Sequence, residues 1–239
     1  MRVIEGATPP LGTYERLRDQ LQSPEAQTRR EAARTLAVFA PHALETTLLR
    51  FPDQPEFKQF APLALHNLNT PRSISALAEM LLKNPPGSYE HEKVAEYLAQ
   101  TGDSAWFPVL AQIARDNAGN AIYLYLAAES GGDASIPLIL EFMRNPVNEY
   151  AASNAAFALG ATGSKDAIPI LLQLLRSTDR NTAVMAEVSL RQLTHLQPGD
   201  HTLSDPQPTQ ALWTAWWTRS RDSAHIYKAH ECSNLQPLQ

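Results

Sequence analysis

Cysteine is almost absent from this chain. Its 239 residues include one, Cys232, so no disulfide can close within a single chain, and the usage fits a reducing compartment. A basic excess is missing as well. Lysine and arginine number 20 against 25 aspartates and glutamates, a formal net charge of −5. Most nucleic-acid binders hold a positive field against the phosphates, so no nucleic-acid partner is expected. Long hydrophobic runs are lacking too. Every apolar stretch is interrupted well short of the roughly 18 residues that span a bilayer. The opening residues, MRVIEGATPPLGTYERL, hold no apolar run of leader or anchor type. The expectation is a soluble, cytoplasmic protein with no membrane partner. Strand signals are also missing: there is no sustained alternation of β-branched residues and no Asn-Gly hairpin turn. Neither a glycine-rich phosphate loop nor a serine elbow occurs.

What the chain does have is an internal repeat. The segment AASNAAFALGATGSKDAIPILLQLLRS, residues 151–177, recurs without gaps. YLAQTGDSAWFPVLAQIARD (97–116) matches part of it at an offset of 61, and LAAESGGDASIPLILEFMRN (126–145) at an offset of 32. Weaker copies lie towards both ends. The equivalent positions are Leu36, Leu65, Leu98, Ala127, Leu159 and Leu190, spaced by 29, 33, 29, 32 and 31 residues. Self-similarity at such a period marks a stacked repeat architecture.

Each unit reads as two helices. The first is apolar at i, i+3, i+4 and i+7, as in IPILLQLLRS. The second is rich in alanine, which lets it approach a neighbour on either side. Breakers separate the units: Asn69-Thr70-Pro71, Gly102-Asp103-Ser104, Gly131-Gly132-Asp133 and Thr162-Gly163-Ser164. Glycine past a helix end supplies the left-handed cap, and Ser or Asp starts the next helix. Pro108, Pro137 and Pro169 fall in first turns, where an N–H has no intrahelical partner to lose. That is how 18 prolines coexist with a helical fold.

The pattern AxxALGxxGSxxAIPxLLxLLR at 155–176 resembles the HEAT repeat, in the short bacterial form also seen in phycobilisome lyase subunits. The likeness covers roughly residues 13–195, strongest at 148–177 and weakest before 55. It implies an all-α solenoid, a right-handed superhelix of about six helix pairs, with the second helix of each pair on the concave face. It also implies protein–protein recognition, with no catalytic group in the repeat itself. The domain reading is a short N-terminal segment (1–12), the repeats (13–195), a loop with a Trp-rich capping helix (196–222) and a flexible tail (223–239). Within the capping helix, Leu212, Trp213, Trp216 and Trp217 are expected on one side. They either close the open end of the repeat stack or form a sticky binding surface, and the cap is the favoured reading.

Catalytic chemistry finds little support. His91-Glu92 is similar to the paired His-Glu motifs of HEAT-like deoxyhypusine hydroxylases. The same register elsewhere carries Arg29-Arg30, Lys58-Gln59, Asn120-Ala121, Ala152-Ser153 and Ala183-Val184, and one pair does not build a di-iron site. His225, His230 and Cys232 match no standard zinc spacing. Catalytic, cofactor-binding and metal-binding residues are therefore expected to be none. HEAT-like DNA glycosylases need a basic groove, and here Glu90, Glu92, Glu149 and Glu187 sit on the second helices instead.

The expected working surface is the concave face, with Tyr89, His91, Glu92, Tyr123, Tyr150 and Asn154 as candidate protein-binding residues. Tyrosine offers a large rigid ring and one hydrogen-bonding tip. Tyr123 and Tyr125 serve equally well as core filling. The expected function is a non-catalytic scaffold, adaptor or regulatory module binding another protein, toxin neutralisation being one such role. The alternative is a lyase-like enzyme subunit handling a chromophore or other large ligand.

Overall fold

The structure, a computed structural model, describes residues 11–197, 209–229 and 236–237. The fold class is the expected one, an all-α solenoid of HEAT-like helix pairs. The chain divides into two compact units, Met1–Tyr97 and Leu98–Gln239, a division the repeat pattern does not announce. The boundary falls inside a helix.

The first unit holds α1 (Leu11–Gln20), α2 (Ala26–Phe39), α3 (Glu45–Leu48), α4 (Ala61–Leu68), α5 (Pro71–Lys83) and most of α6 (Tyr89–Gln100). Helix α2 packs on α1 and α4. The Asn67 side-chain amide donates to the Ala37 and Val38 carbonyls at 3.0 and 3.1 Å, filling acceptors that a helix end leaves open. Helix α5 starts with a reciprocal cap. The Thr70 hydroxyl accepts from the Ser73 N–H, the Ser73 hydroxyl accepts from the Thr70 N–H, and Pro71 holds the first helical position. Helix α3 is only four residues long, flanked by 3-10 turns at 42–44, 51–53 and 58–60. This is the stretch where the repeat is weakest in sequence.

The second unit holds the end of α6, then α7 (Phe107–Asp116), α8 (Ala121–Gly131), α9 (Ile136–Arg144), α10 (Ala151–Ala161), α11 (Ala167–Leu174), α12 (Arg180–Thr194) and α13 (Gln210–Ser220). Helix α10 sits between α8 and α12. Its inward residues Ala155, Ala156, Ala158 and Gly160 are small and buried. The backbones therefore come close enough for the Ser189 hydroxyl on α12 to donate to the Ala156 carbonyl on α10 at 2.8 Å. A Cβ at Gly160 would lie 2.7 Å from that hydroxyl oxygen. The six aligned positions, Leu36, Leu65, Leu98, Ala127, Leu159 and Leu190, are all completely buried.

Each second helix is followed by a residue of positive φ. Ala40, Asn69, Gly102, Gly132, Gly163 and His195 all take left-handed φ, between 37° and 70°. Alignment alone puts Gly131 at this point, but Gly132 adopts it. Gly131 remains helical, and a side chain there would run into the Phe107 ring, 2.5 Å from where its Cβ would stand.

Two parts of the C-terminal reading change. Trp213 is completely buried and Trp216 nearly so, and α13 packs on α11, but Leu212 points away and is exposed. The residues 223–229, read as flexible tail, pack. The Tyr227 N–H donates to the Leu193 carbonyl at 2.8 Å, and its ring stacks on His195 at 3.7 Å. Lys228 lies against Gly163. An irregular segment shows no sequence period, yet it can satisfy the open carbonyls at the end of α12. Despite the absent strand signal, Leu196–Gln197 pairs in parallel with Gln236–Pro237, too short a ladder for alternation to reveal. His230, Glu231 and Cys232 lie outside the described residues. Among the described residues, no helix is long and apolar enough to cross a membrane.

Candidate protein-binding faces

In the second unit, three second helices present a common outer strip. The Tyr125 ring on α8 stacks on Phe157 of α10 at 4.9 Å, and the Gln192 amide on α12 donates to the Tyr125 hydroxyl at 3.3 Å. Burial pushes the Tyr125 phenol above its usual range, and the bond from Gln192 draws it partly back. Helical spacing extends the strip. Ile122 lies one turn from Tyr125, Asn154 and Tyr150 lie along α10 from Phe157, and Val188 lies one turn from Gln192. Tyr150 is 52% exposed, and Phe157 and Ile122 are 37% exposed. The strip is aromatic and apolar, with its central ring held at both edges.

In the first unit, α6 carries a different arrangement. Tyr89 is 70% exposed, and the Lys93 ammonium sits 6.0 Å from the centre of its ring. The same ammonium donates to Glu96 at 2.6 Å, which holds it above the usual lysine range. His66 of α4 stacks on Tyr97 at 4.4 Å. Burial lowers the His66 imidazole, with the Glu96 charge acting against it, and burial raises the Tyr97 phenol. Phe60, Leu63, Tyr89, Glu90, Lys93 and Tyr97 are among the residues lining a cleft of about 270 Å³.

The six sequence candidates do not form one site. Tyr89, His91 and Glu92 belong to the first unit, and Tyr123, Tyr150 and Asn154 to the second. Tyr89 and Tyr150 are exposed, and Glu92 and Asn154 are half-exposed. His91 and Tyr123 are corrections, because both are buried. His91 lies three, four and seven residues before Val94, Ala95 and Leu98, all in the core, so it shares their side of α6. Burial accordingly lowers its imidazole pKa. Tyr123 shares the inward side of α8 with Ala127 and Ser130. Sequence reading missed Ile122 and Phe157. A usable signal existed: Tyr125 and Phe157 are one repeat period, 32 residues, apart. Among the described residues, no three His, Cys, Asp or Glu side chains are grouped as metal ligands.

With this geometry in hand, the match to known families is specific. The family model described as the PBS lyase HEAT-like repeat matches residues 151–177, which are α10, α11 and the turn at Gly163. The chain carries a HEAT-like repeat. The matched segment contains the small-residue stripe of α10, the left-handed glycine and the proline in the first turn of α11. Thus the residues that define the HEAT-like repeat are those that bring neighbouring second helices together. A solved structure described as the crystal structure of an engineered protein is similar at 20% identity, over 75% of this chain and 78% of that one, with a TM-score of 0.28. That likeness is too low to carry an argument. No curated protein matches the chain.

Proposed function

We propose that this protein is a non-catalytic binding module that recognises another protein through the outer faces of its second helices. The observation that carries the reading is the strip across α8, α10 and α12, with Tyr150, Phe157 and Ile122 exposed around the Tyr125 ring. Exposed aromatics on a rigid base lose little conformational freedom on binding, which suits them to anchor an interface. Tyr150 and Asn154 are the contacts from α10, and Tyr89 and Glu92 contribute on the first unit.

A lyase-like role with a large conjugated ligand wants a deep cavity. Three clefts lined by described residues measure about 210, 240 and 270 Å³, below the roughly 300–1,000 Å³ of small-molecule sites. None of these three, all lined by first-unit residues, has the room such a ligand needs.

The test is affinity capture with the full chain, a Tyr150→Ala/Phe157→Ala variant and a Leu82→Ser control. Leu82 is 82% exposed on α5, in the first unit, and belongs to none of the three helices that carry the strip. A protein held by the wild type and by the control, and released by the double variant, supports the reading. Equal capture by all three removes the strip as the interface.

A further inference from the structure

We propose that the cleft at the start of α6 takes the side chain of an arginine on an exposed segment of a partner protein. The proposal rests on the protein-binding reading above and gives one contact of the first unit a defined chemistry. The cleft has three aromatic walls, Phe60, Tyr89 and Tyr97, and two charged groups, Glu90 and Lys93. Lys93 is already neutralised, its ammonium bonded to Glu96 at 2.6 Å. Glu90 has no hydrogen-bond or ion-pair partner among the described residues and is only half-exposed. The lining therefore presents one carboxylate without a side-chain partner, set in the first turn of α6, beside aromatic rings.

A carboxylate with no side-chain partner at the edge of a partly enclosed cleft is free to accept a cation, and such charge-assisted bonds are the strong ones. The rings add to the attraction, because an aromatic face is negative and draws a cation within about 6 Å. Tyr89 already holds one, Lys93, at 6.0 Å. Of the basic side chains, arginine fits best. Its guanidinium is weakly hydrated, stacks flat on rings and meets a carboxylate with two parallel N–H donors. An anionic ligand would be repelled by Glu90 and would find its only lining cation engaged. The volume, about 270 Å³, suits one long side chain entering from a protein surface.

The experiment titrates acetyl-Gly-Arg-Gly-amide into the full ¹⁵N-labelled chain and follows amide shifts by NMR. The expected result is saturable change concentrated at Phe60–Leu63 and Tyr89–Tyr97. Glu90→Gln, an isosteric change whose folding shows in an otherwise unaltered spectrum, should weaken binding at least about five-fold. The neutral citrulline peptide should lose affinity similarly, and added salt should weaken the arginine peptide further. No saturable change, or equal binding by Glu90→Gln or by the citrulline peptide, overturns the assignment. Such a failure leaves the strip on α8, α10 and α12 standing, since that is read separately through Tyr150→Ala/Phe157→Ala. Conversely, arginine binding with no loss of capture in that double variant removes the strip alone.

Discussion

Gly160, the half-buried His66 and the buried His91 show how much single residues decide here. A Cβ at Gly160 would lie 2.7, 2.8 and 3.0 Å from Oγ, Cβ and Cα of Ser189, so the helices must separate to admit it. Gly160→Ala is expected to cost about 1–3 kcal/mol, read as a lower urea midpoint. Gly119→Ala, where nothing lies within 4 Å, serves as the near-neutral comparison. The histidines act through pH. Burial is the largest influence on both His66 and His91 and lowers both pKa values from the ordinary 6.5. The unfolded chain therefore binds protons at these sites more readily than the folded one. Stability falls as pH drops below about 6.5 towards the folded-state values. The urea midpoint should be lower near pH 5.5 than near pH 7.5, and His91→Gln should narrow that gap. A gap of unchanged size in the variant would rule out His91 as a source.

At the scale of elements, the join between α12 and α13 rests on a buried charge. Glu187 is completely buried, accepts from Arg191 at 2.6 Å and accepts from the Thr209 hydroxyl at 2.9 Å, just ahead of α13. Removing one partner of a buried pair leaves the other uncompensated, at a cost of about 3–5 kcal/mol. Arg191→Ala should destabilise by that order and loosen α13, seen as a red shift of tryptophan emission as Trp213 meets water. The double change Glu187→Leu/Arg191→Leu should cost less than the single one, because no lone charge remains. A double variant weaker than the single would mean that the pair contributes specific geometry beyond neutralising its own charges.

For the whole molecule, stacked repeats couple mainly to nearest neighbours. Helix α10 touches α8, α9, α11 and α12, so strain placed there should spread along that list. Hydrogen exchange of Gly160→Ala should lose protection first in α8, α10 and α12, while α1 and α2 keep theirs. Uniform loss along the chain would instead indicate one cooperative fold across both units. The two faces proposed for binding also differ in kind. The second unit offers an apolar strip, and the first offers an aromatic cleft with one unpaired carboxylate.

Much of this architecture is legible from local signals. The 29- to 33-residue period, the alanine-rich second helices, the first-turn prolines and the breakers identify about six helix pairs, and the tryptophan spacing at 213–217 the closing helix. They suffice because helix ends and amphipathic stripes are set by residues within a few positions of one another. Orientation is different. Helix α8 reads Ala121-Ile122-Tyr123-Leu124-Tyr125-Leu126 and is apolar all round, so its own helical period does not say which tyrosine faces inward, and only the 32-residue repeat offset hints at it. Only the packing of α10 and α12 puts Tyr123 in the core and Tyr125 against Phe157 and Gln192. The same holds for Gly131, excluded from carrying a side chain by Phe107, for Tyr227 on His195, and for Thr209 on Glu187. Each depends on groups distant in sequence meeting in space, and the tertiary structure alone brings them together.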